Sequence, residues 1–114
     1  MDRICSVICF IEKKDDFAQY TIYETDKIEG KEGYLGYADY DNKAIVIEKT
    51  LEQQKRIETL IHELMHVWLE ENGYDQSKLF NVEKVCDVVA YAIPFISIGV
   101  RKYCKAKGFV NFYF

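Results

Sequence analysis

The sequence predicts a small α+β domain, an N-terminal antiparallel or mixed sheet of three to four strands followed by two helices. Apolar residues before position 50 run in short β-branched or alternating stretches, and after it they switch to helical spacing. Breakers are scarce, with six Gly and one Pro in 114 residues, so both halves can hold regular structure. The residues are 49% hydrophobic and 30% charged, enough apolar material for one core and unlike a disordered or collagen-like chain. The length fits a single domain, 1–114.

The elements follow in order. Cys5 to Ile11 reads as a buried strand ending in the charged run Glu12-Lys13-Lys14-Asp15-Asp16, and Tyr20 to Tyr23 alternates as a half-buried one. Glu29 to Gly33 is a polar, glycine-punctuated loop. Tyr34–Tyr40 and Ala44–Glu48 flank Asp41-Asn42-Lys43, the composition of a hairpin turn. Thr50, with Gln53 three residues on, has the form of a capping box, and Asn72-Gly73 is a helix stop. Between them Ile57, Leu60, Ile61, Leu64 and Trp68 recur along one helical face. Asn81 can cap a second helix with Val82, Val85, Val89, Ala92 and Ile93 as its apolar side, which Pro94 should kink or end. A further helical piece to Lys105 and an aromatic tail, Phe109 to Phe114, complete the chain.

Lys and Arg number 15 against 19 Asp and Glu, a net charge of −4, which argues against direct nucleic-acid binding through clustered cations. The apolar run from Ile4 to Ile11 follows Asp2 and is too short for a signal peptide, and Val85 to Val100 contains Asp87 and Pro94, so no membrane association is expected. A cytoplasmic protein follows, with Cys5, Cys9, Cys86 and Cys104 as reduced, interior thiols.

The chemistry concentrates in His62-Glu63-Leu64-Met65-His66, which holds both histidines of the chain. A spacing of four stacks two imidazoles on one helix face, about 6 Å apart along the axis, so both can reach one ion. His62 and His66 lie roughly 140–180° from the apolar stripe at 100° per residue, off the core face. Glu63 is then placed to take a proton from water activated by zinc, the arrangement of metal-assisted peptide hydrolysis.

A third protein ligand cannot come from the same helix, since Glu70 lies about 12 Å from His62 along the axis. With no other histidine, a carboxylate or thiolate must serve. The second helix offers Glu83, the preferred ligand, and Asp87, either an alternative ligand or a group orienting an imidazole N–H, with Cys86 between them.

The segments Ala44-Ile45-Val46-Ile47, Thr59 to His66 and Glu83 to Ala90 together resemble the ImmA/IrrE family of zinc metallo-endopeptidases, in particular its small phage and mobile-element forms. The resemblance implies a zincin-like fold, zinc held by His62, His66 and Glu83, and Glu63 as general base. It also implies a protein substrate, with a helix-turn-helix transcriptional repressor as the analogy-based candidate. Met65 and Val89 depart from the family pattern without touching a ligand position.

Two further parts are needed for peptidolysis. An edge strand can align an extended substrate, for which Ala44–Glu48 is the candidate. An oxyanion donor must come from the tyrosines or arginines, with Tyr34, Tyr37, Tyr40, Tyr74 and Tyr91 all eligible. The competing readings are a catalytically inactive zinc-binding domain acting as an interaction module, and an α+β interaction module in which the motif is coincidental.

Overall fold

A computed structural model describes residues 1–28, 35–78 and 81–114. Four strands, β1 (Asp2–Ile11), β2 (Asp16–Thr25), β3 (Gly36–Asp39) and β4 (Ala44–Glu48), precede two helices, α1 (Gln53–Glu71) and α2 (Val82–Lys107). The sheet is mixed, in the order β1-β2-β4-β3, with β2 and β4 parallel and both outer pairs antiparallel. The expected α+β class and strand number are therefore present.

The charged run after Ile11 is a tight connection. A short 3-10 turn, Glu12–Lys14, and Asp15 at φ +48° reverse the chain, and β1 pairs with β2 along nearly its whole length. Both strands are longer than their alternating cores because pairing recruits the polar ends. The second hairpin turns at the expected place. Asn42 donates from its backbone N–H to Asp39 Oδ1 (3.1 Å) and from Nδ2 to Asp39 Oδ2 (2.8 Å), while Lys43 takes a left-handed conformation at φ +52°. The Glu29–Gly33 loop and Tyr34 fall outside the described residues.

One expectation is overturned by topology. Ala44–Glu48 is no edge strand: β4 sits between β2 and β3, pairing Val46 with Tyr23 on one side and Tyr37 on the other. The chain passes from β2 to the far side of the sheet and returns as β4, which leaves β3 at the edge beside α1.

Alternate residues of the strands (Val7, Cys9 and Ile11; Ala18, Tyr20 and Ile22; Ile45 and Ile47) line the inner face of the sheet. Against it α1 buries Ile57, Leu60, Leu64, Val67 and Trp68, each fully buried aliphatic contributing about 1.5–3 kcal/mol. Ile61 is only partly buried and Val67 takes its place in the core. The capping box does not form: Glu52 is the N-cap, without a side-chain cap bond, and the Thr50 hydroxyl donates instead to Glu48 Oε2 (3.0 Å). The helix stops as expected at Asn72, with Gly73 at φ +76°.

In α2, Asn81 Oδ1 accepts from the Lys84 N–H (3.2 Å), the expected cap. Pro94 does not end the helix, which runs through to Gly108 at φ +70°. A mid-helix Pro costs about 3 kcal/mol, and burial of Phe95, Ile96, Val100 and Tyr103 just beyond it offsets that cost. The same packing shifts the buried face to Val88, Ala92, Phe95 and Ile96, leaving Val82, Val85, Val89 and Ile93 exposed. Gly99 lets α2 come close to α1, since a Cβ there would stand 2.8 Å from Leu64 Cδ1.

Gly36 does the same for the edge strand: a Cβ would lie 2.7 Å from Thr59 Cγ2 and 2.9 Å from the Val46 carbonyl oxygen. The carbonyl is backbone and cannot rotate away. Gly36→Ala should therefore cost about 1–3 kcal/mol by overpacking, read as a lower urea midpoint; an unchanged midpoint would show that β3 can move off α1 freely.

Cys9 and Cys104 are buried free thiols, as expected; Cys5 is half-buried, and Cys86, on the open part of α2, is exposed. Burial, with the Glu71 charge nearby, pushes the Cys9 thiol up to about 12, so it stays protonated. Among the described residues no helix is long and apolar enough to cross a membrane.

Candidate metal centre and cleft

One face of α1 looks into a cleft of about 740 Å³, whose opposite wall is Leu35, β3 and Tyr40. Along that face Lys55, Glu58, Thr59, His62, Glu63 and His66 recur at steps of three and four, the surface left over once the apolar stripe is committed to the core. The prediction that the histidines stand off the core face is met: His62 is exposed and His66 half-buried.

The two rings meet edge to face with centroids 4.8 Å apart, and their Nε2 atoms are 3.1 Å from one another. Two nitrogens bound at about 2.0–2.1 Å to one tetrahedral ion stand roughly 3.3 Å apart, so the two Nε2 atoms are already at close to the separation that a shared cation requires. One donor atom from each of His62, Glu63 and His66 lies within 4.8 Å of the others. Imidazole nitrogens with a carboxylate form a donor set compatible with a divalent metal.

Glu63 is 6% exposed. Burial raises its carboxyl above the ordinary carboxylate range, and the neighbouring His62 and His66 pull it partly back. A carboxylate made more basic by its surroundings suits proton abstraction near neutrality.

His66 is held from behind. Its Nδ1 contacts Gln76 Oε1 at 2.5 Å, and the same amide reaches Tyr40 Oη through Nε2 at 3.5 Å. Gln76 belongs to a short 3-10 turn, Gln76–Lys78, between the helices. It carries no metal-ligand or catalytic signature, and a polar residue in a turn gives no sequence signal that could have found it.

The acids of α2 are not brought to this group. Glu83 and Asp87 are exposed on its first turns, and neither joins the His62–Glu63–His66 cluster among the described residues. An imidazole partner for His66 is present, but it is Gln76 rather than Asp87. Of the tyrosines, Tyr37 and Tyr40 line the cleft, Tyr74 stacks on Trp68 at 5.5 Å, Tyr91 faces solvent, and Tyr34 lies outside the described residues.

Residues 18–92, well over half of the chain, match the model of the IrrE N-terminal-like domain, a peptidase family. The matched stretch runs from β2 into α2 and so contains the whole cleft, together with Glu83 and Asp87. No match was found among curated proteins or among solved structures.

Proposed function

The chain belongs to the family of IrrE N-terminal-like domains, and from that we propose that it is a zinc-dependent metallo-endopeptidase that cuts a protein partner. The observation that carries the reading is the convergence of two imidazole nitrogens, 3.1 Å apart, beside a buried carboxylate in an open cleft.

When bound, a zinc ion supplies the Lewis acidity that makes water nucleophilic at neutral pH and polarises a peptide carbonyl. His62 and His66 would hold it through Nε2. Glu63 accepts the proton of the attacking water and returns it to the leaving amine, a task its raised basicity supports. The proposed backbone ladder for an extended substrate is the side of β3, Gly36–Asp39, that walls the cleft, since its other side is paired to β4. Tyr40, at the end of that strand, is the proposed oxyanion donor because its hydroxyl is already held by Gln76.

Glu83 is the proposed third protein ligand, with Asp87 its alternative. Only Val88 and Ala92 of the first three turns of α2 are buried, so few core contacts oppose a closer approach of those turns. The proposed substrate class is a helix-turn-helix repressor, and the proposed site of action is the cytoplasm of a host carrying a phage or mobile element.

The test is metal stoichiometry followed by cleavage. Chelator-treated protein, reloaded with zinc and dialysed, should retain about one ion per chain by elemental analysis, in keeping with a single tetrahedral site. His66→Ala should retain almost none, and Glu83→Ala markedly less than Asp87→Ala. Absence of zinc in the reloaded wild type would overturn the reading. Stoichiometric zinc without cleavage of a co-expressed repressor would favour the second reading, an inactive zinc-binding domain that acts by binding its partner.

A further inference from the structure

The geometry points to Gln76 as a positioning residue that sets the tautomer of His66 and ties it to Tyr40 across the cleft. Its purpose rests on the metallopeptidase reading above; its geometry does not. Gln76 Oε1 lies 2.5 Å from His66 Nδ1, and an amide oxygen only accepts, so in this orientation of the amide the proton sits on Nδ1. A neutral imidazole has one N–H, which leaves the lone pair on Nε2, the atom aimed at His62. The reversed amide would set an NH₂ group against Nδ1, drive the proton to Nε2 and close that nitrogen to a metal.

The other end of the side chain reaches across the cleft. With Oε1 on His66, Nε2 is left to donate to the Tyr40 hydroxyl at 3.5 Å. Both ends of one half-buried side chain are therefore engaged, one on α1 and one on the wall that follows β3. Gln76 performs for His66 the orientation that the sequence pattern assigns to Asp87, from the turn after α1 instead of from α2. Being uncharged, it orients the ring without adding a negative charge behind it.

The experiment uses the full chain, ¹⁵N-labelled and metal-free, at a pH where the imidazoles are neutral. Long-range ¹H–¹⁵N correlation should show His66 protonated at Nδ1. In Gln76→Leu the Nε2–H form should become populated, and zinc affinity, measured by competition with a chelator, should fall about 10–100-fold. Gln76→Glu, which keeps an acceptor against Nδ1, should retain the wild-type tautomer and bring zinc affinity back to within a few-fold of wild type. A lost helix would not be mended by that exchange.

A wild-type His66 protonated at Nε2, or a Gln76→Leu protein with unchanged tautomer and unchanged zinc affinity, overturns the assignment. If Gln76→Leu does not fold, the wild-type tautomer and the Gln76→Glu protein decide it by themselves. A wild type that shows the Nδ1–H form yet takes up no zinc upholds the positioning role and overturns the metallopeptidase reading alone.

Discussion

Glu63→Gln should retain one zinc per chain and lose cleavage of a helix-turn-helix partner by about 10²–10⁴-fold, the usual contribution of a general base. The substitution keeps the size of the side chain and its place among buried neighbours, so packing of α1 against the core is preserved. What it removes is the oxygen that the proposed mechanism needs as proton acceptor. His62 and His66 are untouched, and the 3.1 Å approach of their Nε2 atoms does not depend on residue 63. The measurement is turnover of the partner protein alongside elemental analysis of the same sample. Equal turnover in the variant would remove Glu63 as the base, and loss of both zinc and turnover would show that it is a ligand instead.

A second large effect is expected far from the cleft. Glu24, 1% exposed, is the anchor of a buried charge cluster: Lys107 Nζ lies at 2.8 Å, Tyr103 Oη at 2.5 Å and Arg56 Nη1 at 3.3 Å. It joins β2 to the last turn of α2, with Arg56 and Lys107 also standing over the Phe109 ring. Glu24→Gln removes the charge that both cations face. Leaving buried charge uncompensated costs about 3–5 kcal/mol, but Arg56 and Lys107 keep some contact with water, so a loss of about 2–3 kcal/mol at pH 7 is expected.

The pH dependence follows from the same cluster. Burial would raise the Glu24 carboxyl, but the hydrogen bonds from Lys107 and Tyr103 and the charges of Lys107 and Arg56 outweigh it and hold the group below its ordinary 4.5. A carboxyl whose pKa is lower folded than unfolded stabilises the fold above the unfolded value, and that contribution is lost as pH falls through the folded one. Urea midpoints of wild type and Glu24→Gln should therefore differ at neutral pH and converge below pH 4.5. A gap that persists undiminished into acid would mean that packing, not charge, makes the difference.

Features set by local spacing are legible in the sequence, and features set by long-range packing are not. The spacing of His62, Glu63 and His66 on α1 follows from helix periodicity, as does the stripe of Ile57, Leu60 and Leu64 opposite them. The Asp41–Lys43 turn and the Asn81 cap rest on bonds between residues three apart. By contrast, β4 lies inside the sheet and β3 at its edge because of strand order, and no local pattern encodes strand order. The buried side of α2 departs from its apolar pattern for a related reason. Val82, Val85, Val89 and Ile93 satisfy helical spacing, yet the residues after Pro94 find the core and rotate the contact face toward Val88, Ala92 and Phe95.

The α+β class, the pair of imidazoles with a carboxylate between them, and membership of the family whose pattern spans residues 18–92 are legible in the order of amino acids alone. These depend on residue types at short fixed intervals, which chain geometry turns directly into shared faces. Folding in three dimensions makes β3 a wall of the cleft, gathers Arg56, Tyr103 and Lys107 on Glu24, and stands Gln76 behind His66. Contacts of that kind join residues as far as 83 positions apart, and they exist only once packing of the helices on the sheet has brought distant segments within hydrogen-bond reach.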